Sequence, residues 1–517
     1  MQHGWSSLPA LVATAEPQVS LWVTLLFAAI LLALITCLAL EEKLQAKKSV
    51  IAGSFAIICL LLGAVFDILP FDQVVIGSHE IVQHSQLDAS YLDDADGRQE
   101  TIEIDATAVP EAGRTPEEHP LHVDGQRISM PVYVPGIDWG VIAIILGSSL
   151  FVDVTSKSGL FTWIAIKVTK ASGGDPLKLL FSYGMMTVVF SALLNNVTAM
   201  IIVGSLTSVS LERLGRRDQL LAFLLLEGLL TNIGGLLTLI SSVPNIIVGT
   251  TAGISFMTFF CKSAPYVVIA TLVTLWLGAR LFHIKRLATE QQRSEARDLV
   301  AGFDETDGVS SWSFFWFGAV MLVLFILTIA ATSVLPWIRD LQMGFVAMAF
   351  AGVMLLRYKA EADKFYRAVD WDLLGFFMAL FVVIFVLEHA LVLELIGHGL
   401  RKVLALGEVG GTAALLVASA ACSSVTDNIP LAAMLSKILV RLGTEPDSLL
   451  WWSVIFGANL GGNITPIGSA STLVAVTMIH KNELSMSFGS FVKAAIPYAL
   501  VQIVLATVYV LLVLPWL

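Results

Sequence analysis

Asn195-Asn196-Val197-Thr198 and Asp427-Asn428-Ile429-Pro430 interrupt two apolar segments about half a chain apart, and no other feature constrains the fold so tightly. Each is followed by an Asn-x-Gly-Gly, at Asn232-Ile233-Gly234-Gly235 and at Asn459-Leu460-Gly461-Gly462. Polar, helix-breaking clusters inside hydrophobic spans are costly, so they mark places where a substrate or ion is held. Two copies in one chain point to a transporter built from repeats.

The surrounding composition excludes a soluble enzyme. Of 517 residues, 56% are hydrophobic and 14% charged, with a mean hydropathy of +0.81. Many apolar runs reach the ~20 residues that cross a bilayer core. Cys37, Cys59, Cys261 and Cys422 lie in or beside such runs and read as small packing residues, not as disulfides or thiolate ligands. The net charge of −11 comes mainly from one stretch: Phe71 to Pro135 holds thirteen Asp and Glu against three Arg and no Lys. It reads as a solvated extramembrane segment, because Asp93, Asp94 and Asp96 lack the spacing of a calcium loop. Alternation through His122–Ile128 predicts a short hairpin around Asp124-Gly125. Ala13-Thr14-Ala15 resembles a signal-cleavage site, yet residues 1–12 contain no Lys or Arg. The amino terminus is therefore expected to be retained.

Charge orients the spans. No Lys or Arg occurs before the first span (about 19–40), and Lys43, Lys47 and Lys48 follow it directly, so the chain is expected to start outside. Span two (about 50–70) makes the acidic segment extracytoplasmic, and span three (about 136–155) brings Lys157, Lys167, Lys170 and Lys178 inside. The apolar stretch 179–210 would measure ~48 Å as one helix, too long for a simple crossing. A re-entrant hairpin with Asn195-Asn196 at its tip keeps Arg213, Arg216 and Arg217 inside; a full crossing does not. The remainder reads as a broken span 219–249, spans 265–283, 312–335, 342–357 and 370–397, a second hairpin 411–441, a broken span 449–479 and a last span 490–516. The organisation is thus 1–70, amino-terminal transmembrane helices; 71–135, acidic extracytoplasmic insert; 136–283, first repeat; 284–311, cytoplasmic linker; and 312–517, second repeat.

A shift of 232 places Ile137-Asp138-Trp139 on Val369-Asp370-Trp371 and Asn195-Asn196 on Asp427-Asn428. A slightly shorter shift places Asn232 on Asn459 and Thr238 on Thr465. Span three runs inward and its counterpart outward, so the halves are expected to be inverted about a midplane site. Asp138 and Asp370 are expected to cap the starts of their spans, with Trp139 and Trp371 at the interface.

Ser158-Gly159-Leu160-Phe161, Ser191–Thr198, Asn232–Gly235 and Pro244-Asn245 together resemble the ion transporter superfamily. The similarity is to the branch of arsenite permeases, the D-type sodium/proton antiporter and the P protein, with sodium–dicarboxylate symporters more distant. It runs over about residues 19–515 outside the acidic insert. The resemblance implies an all-α polytopic protein with two tip-to-tip hairpins, two helices broken at midplane, a homodimer and an elevator-like motion. The chain departs from that branch at two points. It carries Asn195-Asn196 where an Asp-Asn is usual, and Ser241-Ser242-Val243-Pro244-Asn245 where Gly-Asp-Pro-Pro-Asn is usual.

Hairpin tips and broken helices expose N–H groups that favour anions and C=O groups that favour cations. Ligand candidates are Asn195, Asn196, Thr198, Thr231, Asn232, Thr238, Ser241, Ser242 and Asn245 from the first half. Thr426, Asp427, Asn428, Asn459, Asn463, Thr465, Ser469, Ser471 and Thr472 come from the second. A sodium ion is expected at Asn196, Asp427 and Asn428. Asp427, Glu227 and Glu388 are the coupling candidates, being ionisable groups within or beside spans.

No His-Glu-x-x-His, nucleophile motif or nucleotide loop occurs, so the chain does not read as an enzyme; paired hairpins argue against a passive channel. The expectation is a secondary active transporter of a small inorganic oxyanion or carboxylate, coupled to sodium or proton by alternating access. Sodium/proton antiport and arsenite efflux are the alternatives. Expected partners are the small ion, membrane lipid and a second copy of the chain, with no nucleic acid and no cofactor beyond sodium. The expected location is a bacterial inner or other plasma membrane.

Overall fold

The computed structural model describes residues 19–69, 74–77, 100–104, 121–128 and 136–517, with residues 131, 133 and 134. The expected cleavage-like site at 13–15 and the acidic run at 93–96 lie outside them. Within the insert, β1 (Val74–Gly77), β2 (Glu100–Ile104) and β3 (Leu121–Ile128) form an antiparallel sheet in the order β1-β3-β2. This corrects one expectation: Asp124-Gly125 is no turn, since Gly125 lies opposite Gly77 on one side and Glu100 on the other. A central strand paired on both edges needs continuous extended backbone through that dipeptide.

Every other described element is helical. α1 (Leu21–Ala39), the short α2 (Glu41–Leu44) and α3 (Lys48–Val65) precede the sheet. After it come α4 (Trp139–Lys157), α5 (Leu160–Ser172), α6 (Pro176–Leu193), α7 (Asn196–Arg213), α8 (Leu220–Gly235), α9 (Val243–Thr251) and α10 (Phe256–Leu281). A linking α11 (Glu290–Ala301) leads to α12 (Trp312–Ala330), α13 (Pro336–Arg357) and α14 (Ala362–Ala368). The chain finishes with α15 (Trp371–His389), α16 (Val392–Leu404), α17 (Gly407–Ser423), α18 (Asn428–Arg441), α19 (Leu449–Gly461), α20 (Ala470–Lys481) and α21 (Phe488–Leu512). Among the described residues, eight helices are long and apolar enough to cross a bilayer, and the protein is a multi-pass membrane protein.

The start of α4 and the start of α15 are built alike. Asp138 accepts a hydrogen bond from the Val141 amide at 3.0 Å, and Asp370 accepts one from Leu373 at 2.9 Å. Such caps satisfy amides that the first turn leaves without a helical partner. The indoles of Trp139 and Trp371 each donate to a carbonyl five residues back, Val134 and Tyr366. The far ends match too. Gly159 (φ 82°) turns α4 into α5, and Leu391 (φ 59°) turns α15 into α16. The span expected at 370–397 is therefore two helices. Its apolar run continues past the break, but Leu391 leaves the helical region, and Glu394, His398, Arg401 and Lys402 give α16 a polar face. Neither α5 nor α16 was evident from hydropathy.

Small residues set the closest helix contacts. A Cβ on Gly147 of α4 would stand 2.5 Å from the backbone of Ala347 in α13, and one on Gly234 of α8 would stand 2.6 Å from the Val188 carbonyl of α6. Backbones this close are a feature of membrane helix pairs, where packing and not hydrophobic burial drives association.

Residues 284–311 dock onto α5 and α6. Asp175 caps α6 through Lys178 and accepts the Leu287 amide at 3.0 Å with its other oxygen. Glu305 takes Lys167 at 2.8 Å and Lys170 at 2.7 Å. Those two ammonium groups hold its carboxyl down at about 2, from an ordinary 4.5. Because the value is depressed on docking, the contribution is complete above about 4.5 and fades as pH falls through about 2. Hydrogen exchange at residues 302–311 should therefore stay slow at pH 5 in the wild type, while Glu305→Gln should exchange faster already at pH 7. Equal protection in both would show that the segment is held by other contacts.

Candidate functional site

Four helices begin around one cavity of about 310 Å³. α7 starts after the break at Leu194-Asn195, with Asn195 capping it by accepting the Thr198 amide at 2.7 Å. α18 starts after residues 424–427, where Asp427 accepts the Ile429 amide at 3.2 Å. α9 follows the break at 236–242, and α20 follows that at 462–469, where Ser469 accepts the Thr472 amide at 3.3 Å. Asn195, Asn196 and Thr198, Ser242 and Val243, Asn428 and Ile429, and Ser469, Ala470 and Ser471 all line the cavity. The facing wall comes from Ser148, Ser149 and Asp153 of α4 and from Asp370 and Leu373 at the start of α15. Asp153 is paired with Lys157 at 2.7 Å, and among the described residues neither Lys nor Arg lines the cavity. Main-chain N–H groups at four helix starts therefore supply partial positive charge to a cavity whose facing wall carries the carboxylates of Asp153 and Asp370.

Behind this cavity the halves repeat each other's bonds. Ser191 Oγ donates to the Thr231 carbonyl at 2.6 Å, and Ser423 Oγ donates to the Ala458 carbonyl at 2.6 Å. Thr238 Oγ1 donates to the Ala192 carbonyl at 2.7 Å, and Thr465 Oγ1 donates to Ser424 at 2.5 Å. Across the halves, Ser242 Oγ donates to Asn459 Oδ1 at 2.7 Å while Asn232 Nδ2 donates to Ser469 Oγ at 2.9 Å. The partners in each pair are related by 232 residues on α6 and α17 (191 to 423) and by 227 on the broken helices (232 to 459, 242 to 469). The Asn-x-Gly-Gly elements now have a local cause. The Asn crosses to the other half, and the first Gly lets the neighbouring helix approach, Gly234 against α6 and Gly461 against α17.

The sequence-derived candidates divide into three groups. Asn195, Asn196, Thr198, Ser241, Ser242, Asn428, Ser469 and Ser471 reach the cavity. Thr231, Asn232, Thr238, Asn245, Asn459, Asn463, Thr465 and Thr472 lie behind it, buried and bonded to one another or to main chain. Their polarity serves to join the two broken helices, since buried polar groups need partners. The acids and the remaining tip residue go elsewhere. Thr426 is turned back onto the Cys422 carbonyl, and Asp427 bonds Lys48 at 2.6 Å in a separate cavity of about 120 Å³. Glu227 is buried between α7 and α8, with Thr207 Oγ1 donating to one oxygen at 2.5 Å and the other without a partner. Glu388 pairs with Arg441 at 3.2 Å and Lys437 at 3.7 Å. None of the three coupling candidates touches the cavity. The expected sodium set is divided too: Asn196 and Asn428 face the cavity and Asp427 faces away.

Sequence reasoning missed the wall residues Ser148, Ser149 and Asp153, although hydroxyls in mid-span were a usable signal. It also missed Gln502, which accepts from Asn463 Nδ2 at 2.8 Å and donates to Thr274 at 3.0 Å. A lone Gln in the last span carries no motif.

Long apolar helices broken where their starts converge on a polar cavity define a multi-pass membrane transporter. The chain belongs to the citrate transporter (CitMHS) family, whose model matches residues 120–456. It is 30% identical over 380 residues to the 46 kDa membrane protein of Mycobacterium leprae, covering 72% of this chain and 86% of that one. It is 26% identical over 471 residues to the P protein of Mus musculus, covering 76% and 56%. The second similarity agrees with the resemblance read from the motifs. Among solved structures, the Alcanivorax borkumensis YdaH transporter aligns with a TM-score of 0.54 at 16% identity, over 94% of this chain and 97% of that one. At that identity the likeness concerns fold alone. The family is one of permeases, and the chain is not an enzyme.

Asn459→Leu should strip the partners from Ser242 Oγ and Asn245 Oδ1, at about 1–3 kcal/mol for each buried group left unpaired. Thermal unfolding of detergent-purified protein should show a lowered Tm; an unchanged Tm would mean that the amide belt holds nothing together.

Proposed function

We propose that the protein is a secondary active transporter of a small carboxylate or inorganic oxyanion, moved by alternating access and driven by sodium or protons. The observation that carries this reading is the meeting of four helix starts in one cavity that no basic side chain lines among the described residues. Each start is equivalent to roughly half a positive charge, so four amount to about two. That suits a di- or tricarboxylate, and the family's description adds citrate as the first compound to try. Asn196, Asn428, Ser469 and Ser471 would supply the side-chain contacts.

The duplicated bonds support two inverted repeats, 136–283 and 312–517, with α6–α7 and α17–α18 as re-entrant hairpins from opposite faces. The basic residues around them support an outside amino terminus, an extracytoplasmic 71–135 and a cytoplasmic 284–311. We place the protein in a bacterial inner or equivalent membrane, as a homodimer whose hairpins and broken helices move together against the other helices. Of the acids, Glu227 is the one we assign to proton carriage, because Asp427 and Glu388 are engaged with cations while Glu227 has an oxygen with no partner.

Liposomes containing the purified protein test this. Labelled citrate should accumulate above equilibrium under an inward sodium or proton gradient. Proton release on adding sodium, with no uptake of citrate, other carboxylates or phosphate, would establish sodium/proton antiport instead. Asn428→Ala removes a side-chain contact to a charged ligand and should raise the apparent KM about 10- to 100-fold. Glu227→Gln should abolish proton-driven accumulation while leaving citrate exchange across equal pH; accumulation at the wild-type rate would remove Glu227 from coupling.

A further inference from the structure

Lys48 is the first residue of α3, and its ammonium lies 2.6 Å from Asp427 Oδ2, with Glu41 at 4.0 Å. The side chains of Lys48 and Asp427 are 27% and 12% exposed, so the pair is substantially withdrawn from solvent. The base of Lys48 is fixed independently of this contact. The next residue, Ser49, donates both its amide and its hydroxyl to Asp372 Oδ1 at the start of α15, and α3 then packs along α15. Asp427, by contrast, sits on the turn between α17 and α18, where its other oxygen caps α18. The neighbouring Asn428 faces the 310 Å³ cavity. One turn thus presents a carboxylate to the α3–α15 pair and an amide to the site.

The position of this turn is informative. It shares a cavity of about 120 Å³ with Ile35 and Leu38, near the end of α1, and bonds the start of α3. The cavity beside it is bounded by the first residues of α15 and by Asp153 near the end of α4. The end of α1 and the starts of α3 and α15 are joined by α2 and by the Ser49–Asp372 bonds, so they occupy one end of the molecule. The tip of the second hairpin is therefore drawn toward that end. Lys48 also lies outside the 120–456 region matched by the family model, whereas Asp427 lies within it.

We propose that Lys48 is a positioning residue for transport: its ammonium latches the tip that carries Asn428 to the α3–α15 pair, holding the cavity open toward the ends of α1 and α4. This rests on the alternating-access reading, because a latch has meaning only if the tip leaves it during a cycle. In the proposed topology the latched position is open to the cytoplasm. An ion pair formed in one position only favours that position by the worth of the pair.

The test uses the full chain with Cys37, Cys59, Cys261 and Cys422 replaced and a reporter Ser149→Cys on the cavity wall, labelled by an impermeant maleimide in inside-out vesicles. Lys48→Met and Asp427→Asn should each slow labelling about threefold, the scale of a partly exposed ion pair. The double variant should be no slower than either single one, because both remove the same bond. Lys48→Arg should stay within about twofold of the parent, since it keeps the charge. Single variants that label at the parent rate, or effects that add, would overturn the latch. If Lys48→Met does not elute as one species on gel filtration, Lys48→Gln takes its place with the same expectations. Labelling needs no substrate, so failure of the latch is read separately from failure of citrate uptake by the unmodified chain.

Discussion

A helix started inside a bilayer leaves its first amides without helical partners, and no water is at hand to take them. In the proposed topology this chain starts four helices that way, and all four line one cavity. The capping side chains Asn195, Asp427 and Ser469 each answer for one amide. A cavity ringed by helix starts is thus a direct result of breaking helices in an apolar interior. It requires no Lys or Arg, which would be costly at that depth.

What keeps the four starts together is a belt of amides and hydroxyls behind them. Asn232 and Asn459 cross between the halves in equivalent ways, and Asn463 carries the belt on to Gln502 and Thr274. The halves differ at their tips. The first is capped by a neutral amide, Asn195, and needs nothing further. The second is capped by a carboxylate, and withdrawing that charge from solvent requires a cation, which Lys48 supplies from a helix 379 residues away in sequence.

Much of this was legible because it is periodic or repeated. Apolar runs gave most long helices, and Asp138-Trp139 against Asp370-Trp371 located equivalent starts before any geometry was known. Asn195, Asn196 and Asn428, which line the cavity, stand out in sequence because a polar pair in an apolar run has few structural uses. Other features depend on tertiary partners. Asn459 and Asn463 look like ligands in sequence, since nothing local shows that Ser242 and Gln502 will satisfy them. The same holds for Asp427, whose partner is chosen by the packing of α3 on α15. Leu391 misled for a different reason: hydropathy does not register a left-handed residue, so two helices read as one span. The sheet in the insert hid its order because a central strand and a hairpin share the same alternation.

The chemistry of the cavity is divided between two kinds of surface. On one side the attraction resides in the peptide backbone, which no replacement of a side chain can delete. On the other, Ser148, Ser149 and Asp153 project from α4 with nothing in the backbone fixing their identity. Divergence within such a scaffold should therefore preserve the helix starts while rewriting that single helix, so that related proteins differ in what α4 offers the cavity.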